Sequence, residues 1–404
     1  MHICFVCREY PPSLRGGGIA SYIKEISHGL HEAGHEVTVI CASDDTRKEE
    51  QYDDDGVHVI RLKGGDFVIP QVEHVTLLKK FRTFYRFFSY RRRIAETIRQ
   101  LKDVDIIEVP EYGAEGYYLH RLSIPAVIRL HTPMLLNHER FSLQHLNKSN
   151  FLYYWQGRKE FIEICKAKYI TSCSTSLKQW VHQYLHVPDE RMEVIYNPIR
   201  TKNGLQCKWQ WQPHGVKQIL FAGTICDWKG CGDLAAACRL LNENGTVKFQ
   251  LNLAGKTGKY AAELQKEYGK ESWFNIMGKV SREKLMKMYA TADLVCFPSW
   301  WENMPMVCIE AMLCGGIVLG SSSGGMSEII MDGENGFLLP PKNPEAWCNK
   351  IEKILHMDGE ALQGISMQAQ AKIEKQFAMD TIVNQTIQYY NKVILLEKEN
   401  DGSI

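Results

Sequence analysis

Residues 297–341 read FPSWWENMPMVCIEAMLCGGIVLGSSSGGMSEIIMDGENGFLLPP, and this stretch decides the fold. A short apolar run opens it, and a helical pattern is predicted to begin at Asn303, with Pro305 in its first turn. Asn is a favourable N-cap, and Pro suits the first helical position because its missing N–H costs no hydrogen bond there. Glu302 stands just before this predicted helix and Glu310 stands two turns inside it. In a continuous helix the two would lie about 12 Å apart along the axis.

The spacing of these two carboxylates points to a long ligand. Paired carboxylates that act on one glycosidic bond in hydrolases lie about 5 to 9.5 Å apart, so Glu302 and Glu310 are expected to contact different parts of one ligand. The backbone amides of Asn303, Met304 and Met306, with the helix dipole, would face an anionic group between them. A diphosphate flanked by two polyhydroxylated rings, as in a nucleotide sugar, fits this arrangement. The residues alone also allow a solvated loop Glu302 and a surface Glu310.

The order of motifs along this stretch resembles the signature of a known family. The motifs are Glu302, Glu310, Cys314-Gly315-Gly316, the small-residue turn Ser321 to Gly325, Glu328, Asp332-Gly333 and Asn335-Gly336-Phe337. They look like the C-terminal signature of the large family of retaining glycosyltransferases that includes bacterial mannosyltransferases and sucrose and glycogen synthases. The resemblance implies the α/β GT-B fold, in which two doubly wound Rossmann-like domains face each other across a cleft.

The chain is long enough for the two domains that this fold requires. A length of 404 residues favours two cores of ordinary size. The resemblance implies an N-terminal acceptor-side domain at residues 1–200, completed by the C-terminal helix at 376–404. It implies a nucleotide-sugar-binding domain at residues 201–375.

The same resemblance implies catalytic and donor-binding residues. Lys229 would neutralise the donor diphosphate, Glu302 would hold the hydroxyls of the transferred sugar, and His131 would position that sugar from the other domain. Glu310 would hold the ribose hydroxyls. The implied donor-binding residues are Gly16, Gly17, Gly18, Thr224, Lys229, Val280, Asn303, Met304, Met306, Val307 and Glu310.

One position departs from the family pattern. Thr224 stands where the family has an arginine, so one cation near the diphosphate is missing. Loss of one charge-assisted contact costs about 1.5 to 3 kcal/mol unless another cation replaces it. Arg8, Arg15 and Lys256 are the candidate replacements.

The N-terminal segment predicts a crossover unit with a glycine-rich loop. A strand, the loop that ends at Gly16 to Gly18, a helix and a second strand follow one another, so the loop lies at the carboxyl edge of a parallel sheet. Three consecutive glycines let the backbone approach a phosphate closely. The spacing is not that of the dinucleotide fingerprint, which argues against an NAD-dependent enzyme.

Two further strand ends carry candidate site residues. The predicted strand Val104 to Val109 leads into Glu111 and Tyr112, which are candidates for the acceptor side, and another strand leads into His131. Doubly wound sheets place ligands at such carboxyl ends. A purely structural role for a lone histidine stays open from the residues alone.

Composition and charge exclude several classes of protein. Basic residues number 48 and acidic residues 47, so no global field favours nucleic acid. A run of eighteen apolar residues and a cleavable signal pattern are both missing from the sequence, so a cytoplasmic protein without a spanning helix is expected.

A metal or cofactor is not expected. The 13 cysteines are scattered through apolar runs and predict small buried hydrophobes rather than a zinc site. Two sequences could be taken for an Asp-x-Asp metal motif, at residues 53–55 and 103–105. The first is predicted to lie in an exposed loop spanning residues 44–55, and the second leads directly into a strand. Both are rejected, and metal-independent chemistry without a cofactor is predicted.

The segment Leu77 to Leu101 carries eight basic residues, one acid and six interleaved aromatic residues. A basic amphipathic helix with aromatic residues is typical of contact with an anionic membrane surface. A domain helix that buries its aromatic side chains and solvates its arginines is the alternative.

The residues and the resemblance together predict a hexosyl transfer. The donor is a nucleotide diphosphate sugar, and the acceptor is a hydroxyl of a glycan or lipid-linked glycan, as in bacterial surface polysaccharide assembly. A soluble small-molecule acceptor and a catalytically silent nucleotide-sugar-binding protein remain the alternatives.

Overall fold

The computed structural model describes residues 1–14, 17–45, 47–65, 77–136, 151–200, 209, 215–400 and 402, with only the backbone for 77–80. The chain divides into two compact units. The first contains residues 1–198 and 379–404, and the second contains residues 199–378.

The first unit is built on an eight-stranded sheet with the strand order β3-β4-β2-β1-β5-β6-β7-β8. All neighbouring strands are parallel except β3 and β4. The strands are β1 His2–Val6, β2 Glu36–Ala42, β3 Glu50–Asp54, β4 Val57–Leu62, β5 Ile106–Pro110, β6 Ala126–Leu130, β7 Tyr169–Ser172 and β8 Met192–Val194. The helices are α1 Gly18–Glu32, α2 Leu77–Gln100, α3 Phe151–Lys166, α4 Thr175–Leu185 and the C-terminal α12 Met379–Asn400.

The second unit is built on a six-stranded parallel sheet with the order β11-β10-β9-β12-β13-β14. Its strands are β9 Lys217–Ala222, β10 Phe249–Ala254, β11 Phe274–Gly278, β12 Leu294–Phe297, β13 Val318–Ser321 and β14 Phe337–Leu339. Its helices are α5 Cys231–Asn244, α6 Lys259–Tyr268, α7 Arg282–Thr291, α8 Met306–Leu313, α9 Met326–Ile329, α10 Pro344–Leu355 and α11 Gly359–Gln376. Both sheets have the parallel, helix-covered organisation of a Rossmann-like domain.

Central strands are buried along their whole length because helices cover both faces of each sheet. All five residues of β1 and all four residues of β12 are buried. Such continuous apolar runs are expected of parallel strands, since neither face meets water. The loops at the carboxyl ends of the strands therefore carry the polar side chains available for ligands.

The C-terminal helix α12 is an integral part of the first unit. Met379 and Val383 pack so closely on Gly29 of α1 that a β-carbon there would lie 2.6 Å from the Met379 sulfur. The Tyr390 hydroxyl donates a hydrogen bond of 2.8 Å to the buried carboxylate of Glu108 in β5. The helix is thus attached both by packing and by a buried polar contact.

Two predicted elements differ from the structure. The helix predicted to begin at Asn303 begins at Met306, because Pro305 is extended (φ −77°, ψ 95°) and serves as the N-cap residue. The Asn303 side chain instead accepts a hydrogen bond of 2.7 Å from the Trp301 indole. The predicted surface loop at 44–55 was wrong in its second half, since residues 50–54 form β3, an antiparallel edge strand paired with β4.

The basic segment forms α2, and much of that helix is committed to the first unit. Phe87, Tyr90 and Arg91 are buried, and the Arg91 guanidinium donates to the carbonyl oxygens of Phe87, Gly113 and Ala114. Among the described helices, none combines the length and apolar character needed to cross a bilayer.

Candidate active site

Lys229 and Glu302 meet at the carboxyl edge of the second sheet. Lys229 ends a short 3₁₀ turn that follows β9, and Glu302 lies in the loop that follows β12. These two strands are parallel neighbours, so their following loops emerge side by side. The Lys229 ammonium forms an ion pair with the Glu302 carboxylate, and both side chains are largely buried, at 16% and 13% exposed.

Ser299 completes this contact. Its hydroxyl donates a hydrogen bond of 3.1 Å to the Glu302 oxygen that also meets Lys229, and Ser299 is itself buried. Ser299 was not predicted as a site residue, although its place three residues before Glu302 was visible in the sequence. A cation and a hydroxyl therefore fix one carboxylate oxygen, while the second oxygen is not part of these contacts.

Close backbone packing determines where Glu302 lies. Gly324 has a left-handed backbone (φ +64°), and a β-carbon at this position would overlap the Glu302 carbonyl oxygen. The amide of Gly325 donates a hydrogen bond of 2.8 Å to that same oxygen. The predicted glycine turn thus contacts the motif glutamate directly, and only a residue without a side chain fits there.

Glu310 lies in α8 and contacts a different cation. Its carboxylate forms a 3.2 Å ion pair with Arg282, the first residue of α7. Glu310 is 17% exposed and Arg282 is 63% exposed. Val280 lies half-buried two residues before Arg282. The two motif carboxylates therefore face different partners, Lys229 and Arg282, from different elements of the same unit.

The remaining predicted donor-binding residues of the second unit that lie close to Glu302 and Glu310 in sequence are at the start of α8 and in the loop before it. Met306 and Val307 occupy the first turn of α8, where amides lack a partner within the helix. Asn303 and Met304 lie buried in the preceding loop. The amides at the start of α8 can receive an anion.

Of the candidate replacements for the family arginine, Lys256 lies in a loop that contacts the loop of Thr224. Thr224 is exposed in the loop after β9, and the amide of the next residue, Ile225, donates 2.9 Å to the carbonyl of Lys256. Lys256 is exposed. Arg8 is instead buried in the first unit, where it pairs with Glu115 at 3.2 Å. Arg15 lies outside the described residues.

The predicted phosphate-facing glycines stand at the start of α1. Gly17 is the extended N-cap residue and Gly18 is the first helical residue. A β-carbon at either position would meet no atom within 4 Å, so this helix start is open. Gly16 lies outside the described residues.

His131 directly follows β6 and is buried. Burial and the neighbouring Arg129 guanidinium hold the pKa of His131 well below its usual range, so the imidazole is neutral at physiological pH. The Tyr22 ring packs against the imidazole in an edge arrangement, with the ring centroids 4.8 Å apart. The histidine can therefore donate or accept one hydrogen bond, but it carries no charge.

Glu111 and Tyr112 follow β5, as predicted, but Glu111 is fully buried. Its carboxylate accepts hydrogen bonds from the backbone amides of His131 and Thr132. Tyr112 is half-buried, with the Arg8 guanidinium 5.5 Å from its ring centre. The acceptor-side roles of Glu111 and Tyr112 remain predictions. The hydrogen bonds of Glu111 connect the turn after β5 to the segment that contains His131.

The two rejected Asp-x-Asp sequences have structural contacts. The Asp105 carboxylate accepts 2.7 Å from the backbone amide of His2, and the Asp54 carboxylate accepts 2.8 Å from the Tyr10 hydroxyl. In the described part of the chain, ligand atoms of His28, Asp54 and Asp55 lie within 4.8 Å of one another. Metal independence remains a prediction.

Two family models match this chain. Residues 208–372 match the family model of the glycosyl transferases group 1, and residues 16–203 match that of glycosyltransferase family 4. An uncharacterized glycosyltransferase of Methanocaldococcus jannaschii is 27% identical over 405 residues, covering 96% of this chain and 98% of the relative.

Two solved structures share the fold over nearly the whole chain. Sucrose-phosphate synthase from Thermosynechococcus elongatus superposes with a TM-score of 0.78 at 20% identity, covering 98% of this chain and 99% of the other. HepE of Anabaena, solved in complex with UDP-glucose, gives a TM-score of 0.69 at 19% identity, covering 97% and 100%. The two parallel sheets, the glutamate motif and these matches together show that the chain belongs to the glycosyltransferase group 1 family and has the GT-B fold of two Rossmann-like domains.

Proposed function

We propose that this protein transfers a hexosyl unit from a nucleotide diphosphate sugar to a hydroxyl group of a glycan acceptor, with retention at the anomeric carbon. The Lys229–Glu302 contact, with Ser299 on the same carboxylate, carries this proposal. It joins a cation suited to a phosphate with a carboxylate suited to sugar hydroxyls at one sheet edge.

In the proposed reaction, the bond between the anomeric carbon and the diphosphate oxygen breaks while a bond to the acceptor oxygen forms. Lys229 and the amides that open α8 stabilise the negative charge that develops on the departing diphosphate. The acceptor hydroxyl proton leaves with that diphosphate. No metal or cofactor enters this scheme, because protein cations and amides supply the positive charge.

Glu302 and Glu310 have separate tasks in this proposal. Glu302 holds hydroxyls of the transferred sugar and faces the positive charge developing at its anomeric carbon. Glu310, with Arg282 beside it, holds the ribose hydroxyls of the nucleotide. His131 of the first unit provides a neutral hydrogen-bonding group toward the sugar.

A donor screen tests the proposed activity. Thermal stabilisation by a panel of nucleotide sugars identifies the donor, since a ligand at a hundred times its Kd stabilises by about 2.7 kcal/mol. Release of nucleoside diphosphate from that donor is then measured with glycan acceptors. The anomeric configuration of the product, read by NMR, is expected to match that of the donor.

The same assay distinguishes the alternative of a catalytically silent nucleotide-sugar-binding protein. A nucleotide-sugar-binding protein without activity is stabilised by the donor but releases no nucleoside diphosphate with any acceptor. Stabilisation by a donor without release of nucleoside diphosphate would therefore leave only the binding role. Inversion at the anomeric carbon would refute the retaining chemistry alone.

The acceptor is proposed to be presented at an anionic membrane surface, as in assembly of bacterial surface glycans by a cytoplasmic enzyme. Four exposed aromatic side chains on α2 and α3 support this: Phe81 (69%), Tyr85 (77%), Phe151 (44%) and Tyr153 (38%). We call them the aromatic patch. The exposed Arg82 lies beside Phe81 on α2. Aromatic side chains with adjacent arginines bind the headgroup region of anionic bilayers.

Vesicle sedimentation tests the aromatic patch. Replacing Phe81 and Tyr85 together by serine is expected to abolish binding to vesicles that contain anionic phospholipid, while Leu395→Ser on α12, also exposed, retains it. Arg91 is unsuitable for this test because it is buried and holds backbone carbonyls. Failure of the wild type to sediment with the vesicles would remove the membrane proposal and favour a soluble acceptor, and equal binding of both variants and wild type would remove the role of the aromatic patch.

A further inference from the structure

Two buried glutamates hold the backbone of the segment that carries His131. The Glu111 carboxylate accepts from the His131 amide at 2.9 and 3.0 Å and also from the Thr132 amide. The Glu160 carboxylate accepts from the Met134 amide at 2.7 Å. Three amides within four residues are therefore bonded to side-chain carboxylates rather than to a neighbouring strand.

The two carboxylates come from different elements and are linked to each other. Glu111 lies in the turn after β5, and Glu160 lies in the middle of α3. The second Glu160 oxygen accepts 2.6 Å from the amide of Gly113, in the same turn as Glu111. Helix α3 thus fastens both the turn that supplies Glu111 and the segment that Glu111 holds. We call residues Glu111 and Glu160 the carboxylate clamp.

Burial makes these contacts costly to lose. Both glutamates are fully buried, at 0% exposed. A buried carboxylate without hydrogen-bond donors is strongly unfavourable, and a buried amide without an acceptor is also unfavourable. The backbone amides of residues 131–134 and the clamp carboxylates therefore satisfy each other's hydrogen bonds, and neither group can move without the other.

We propose that Glu111 and Glu160 are positioning residues that place His131 for glycosyl transfer, and that this placement loosens when the clamp is protonated. The inference rests on the role that the proposed function gives to His131. A carboxylate can accept from two amides at once, whereas a carboxylic acid or a carboxamide presents one strong acceptor and one donor. When one oxygen of a clamp residue becomes a donor, the backbone amide that it faced loses its acceptor and must shift.

The charge of the clamp changes near neutral pH. Burial raises the pKa of Glu111 to about 7 and that of Glu160 to about 8, against the hydrogen bonds from the amides, which lower them. The Arg129 guanidinium from β6 lowers the pKa of Glu111, while Glu111 raises and Arg8, which follows β1, lowers the pKa of Glu160. Glu115, Glu163 and Arg91 complete the surrounding buried charges.

His131 itself does not titrate in this range, because its pKa lies well below the usual value. A loss of kcat on the acid side of pH 7 would therefore arise from the clamp rather than from the imidazole. This separates the proposal from a simple histidine titration.

Amide hydrogen exchange tests the clamp directly, without any need for activity. At a pH above 8, where both wild-type carboxyl groups are charged, the amides of residues 131, 132 and 134 are expected to exchange about tenfold faster in Glu111→Gln and Glu160→Gln than in wild type, because a charge-assisted hydrogen bond is lost. Glu163→Gln is the matched control. It lies one turn from Glu160 on α3 and is also buried, and its carboxyl oxygens have no hydrogen-bond partner among the described residues.

Kinetics with the full-length variants test the positioning role. Both clamp variants are expected to lower kcat about tenfold or more with the donor KM near wild type, since small misplacements cost large factors in rate. The acid limb of the kcat profile near pH 7 is expected to vanish in Glu111→Gln, and Glu163→Gln should match wild type.

The outcomes distinguish the two proposals. Unchanged exchange at 131–134 in both clamp variants overturns the clamp, whatever the activity. Faster exchange with unchanged kcat and pH profile overturns the positioning role. If wild type releases no nucleoside diphosphate with any donor, the proposed function fails, and the exchange comparison still decides the clamp.

Discussion

At the scale of single residues, the site depends on how closely the backbone approaches Glu302. Gly324 and Gly325 contact its carbonyl oxygen, while Lys229 and Ser299 contact its carboxylate. The glutamate is thus held at both its main chain and its side chain. Four neighbours from three loops therefore set its location. The position most sensitive to substitution is Gly324, where no side chain fits.

Gly324→Ala is expected to destabilise the second unit more than Gly333→Ala does. Both residues have a left-handed backbone, φ +64° and +81°, which costs an alanine about 1 to 2 kcal/mol. Only at 324 would the β-carbon also overlap the Glu302 carbonyl, whereas no atom lies within 4 Å of a β-carbon at 333. Urea unfolding and kcat are the measurements. Equal loss of stability in the two variants would mean that the close approach to Glu302 has no energetic weight.

Lys229→Ala is expected to lower kcat by roughly 10- to 150-fold, the equivalent of about 1.5 to 3 kcal/mol for one charge-assisted contact. The variant removes the cation beside the diphosphate and leaves the largely buried Glu302 without its ion-pair partner. Lys284→Ala, on the exposed surface of α7, is the control. A Lys229→Ala enzyme with unchanged kcat would refute the leaving-group role.

At the scale of elements, α3 contributes two groups that make the stability of the first unit depend on pH. It carries Glu160 and Glu163, two fully buried carboxyl groups whose pKa burial raises, to about 8 for Glu160 and well above the usual value for Glu163. A group whose pKa is higher in the folded state binds more protons when folded. Its contribution to stability is therefore fully present below pH 4.5 and is lost as pH rises through the folded pKa.

The free energy of unfolding is thus expected to fall between about pH 4.5 and 8, by up to roughly 1.4 kcal/mol per pH unit for each such group. Glu160→Gln removes one of these groups, so its stability should depend less steeply on pH than that of wild type. Urea unfolding at several pH values between 5 and 8 measures the slopes, with the exposed Glu271→Gln as control. Parallel slopes for Glu160→Gln and wild type would contradict the raised pKa.

The sequence predicted most elements because their signals are local. The apolar runs of parallel strands, the glycine-rich loop before α1 and the basic helix α2 all appear in the structure. The start of α8 at Met306 instead of Asn303 depends on the extended Pro305, and β3 depends on pairing with β4, which a polar edge sequence does not reveal.

Side-chain partners were less predictable than elements because burial depends on the tertiary fold. Arg8 was a candidate donor cation, yet it pairs with Glu115 inside the first unit. Glu160 was not singled out, although an acidic residue on the inward face of α3 was a signal that it could have a buried partner. The pairs Lys229–Glu302 and Arg282–Glu310 join residues 73 and 28 positions apart, which spacing alone does not reveal.

At the scale of the whole molecule, the chain forms two units with separate cores, and the C-terminal helix returns to the first. Most residues predicted to hold the donor, including Lys229, Val280 and Glu310, lie in the second unit, whereas Gly17 and Gly18 open α1 of the first. The residues that act on the acceptor side in the proposal lie in the first. Recognition of the nucleoside and recognition of the acceptor are therefore assigned to different folding units, while the glycine-rich loop of the first unit is predicted to face the diphosphate.

Hydrogen exchange with a nucleoside diphosphate is expected to show this division. Protection should increase in the loops after β9, β11 and β12 of the second unit, because a ligand stabilises what it binds by about RT ln(1 + [L]/Kd). The 131–134 segment of the first unit is expected to change less. Protection centred on the first unit would place the nucleotide in the wrong unit for this account.

The central claim is that Glu302 holds the sugar end of the donor and Glu310 holds its nucleoside end. Calorimetric titration of Glu302→Gln and Glu310→Gln with a nucleotide sugar and with the matching nucleoside diphosphate tests it most directly. Glu302→Gln is predicted to weaken binding of the nucleotide sugar about tenfold or more while leaving nucleoside diphosphate binding unchanged or tighter, and Glu310→Gln is predicted to weaken both. If Glu302→Gln weakens both ligands equally, or if neither variant affects either ligand, the account is contradicted.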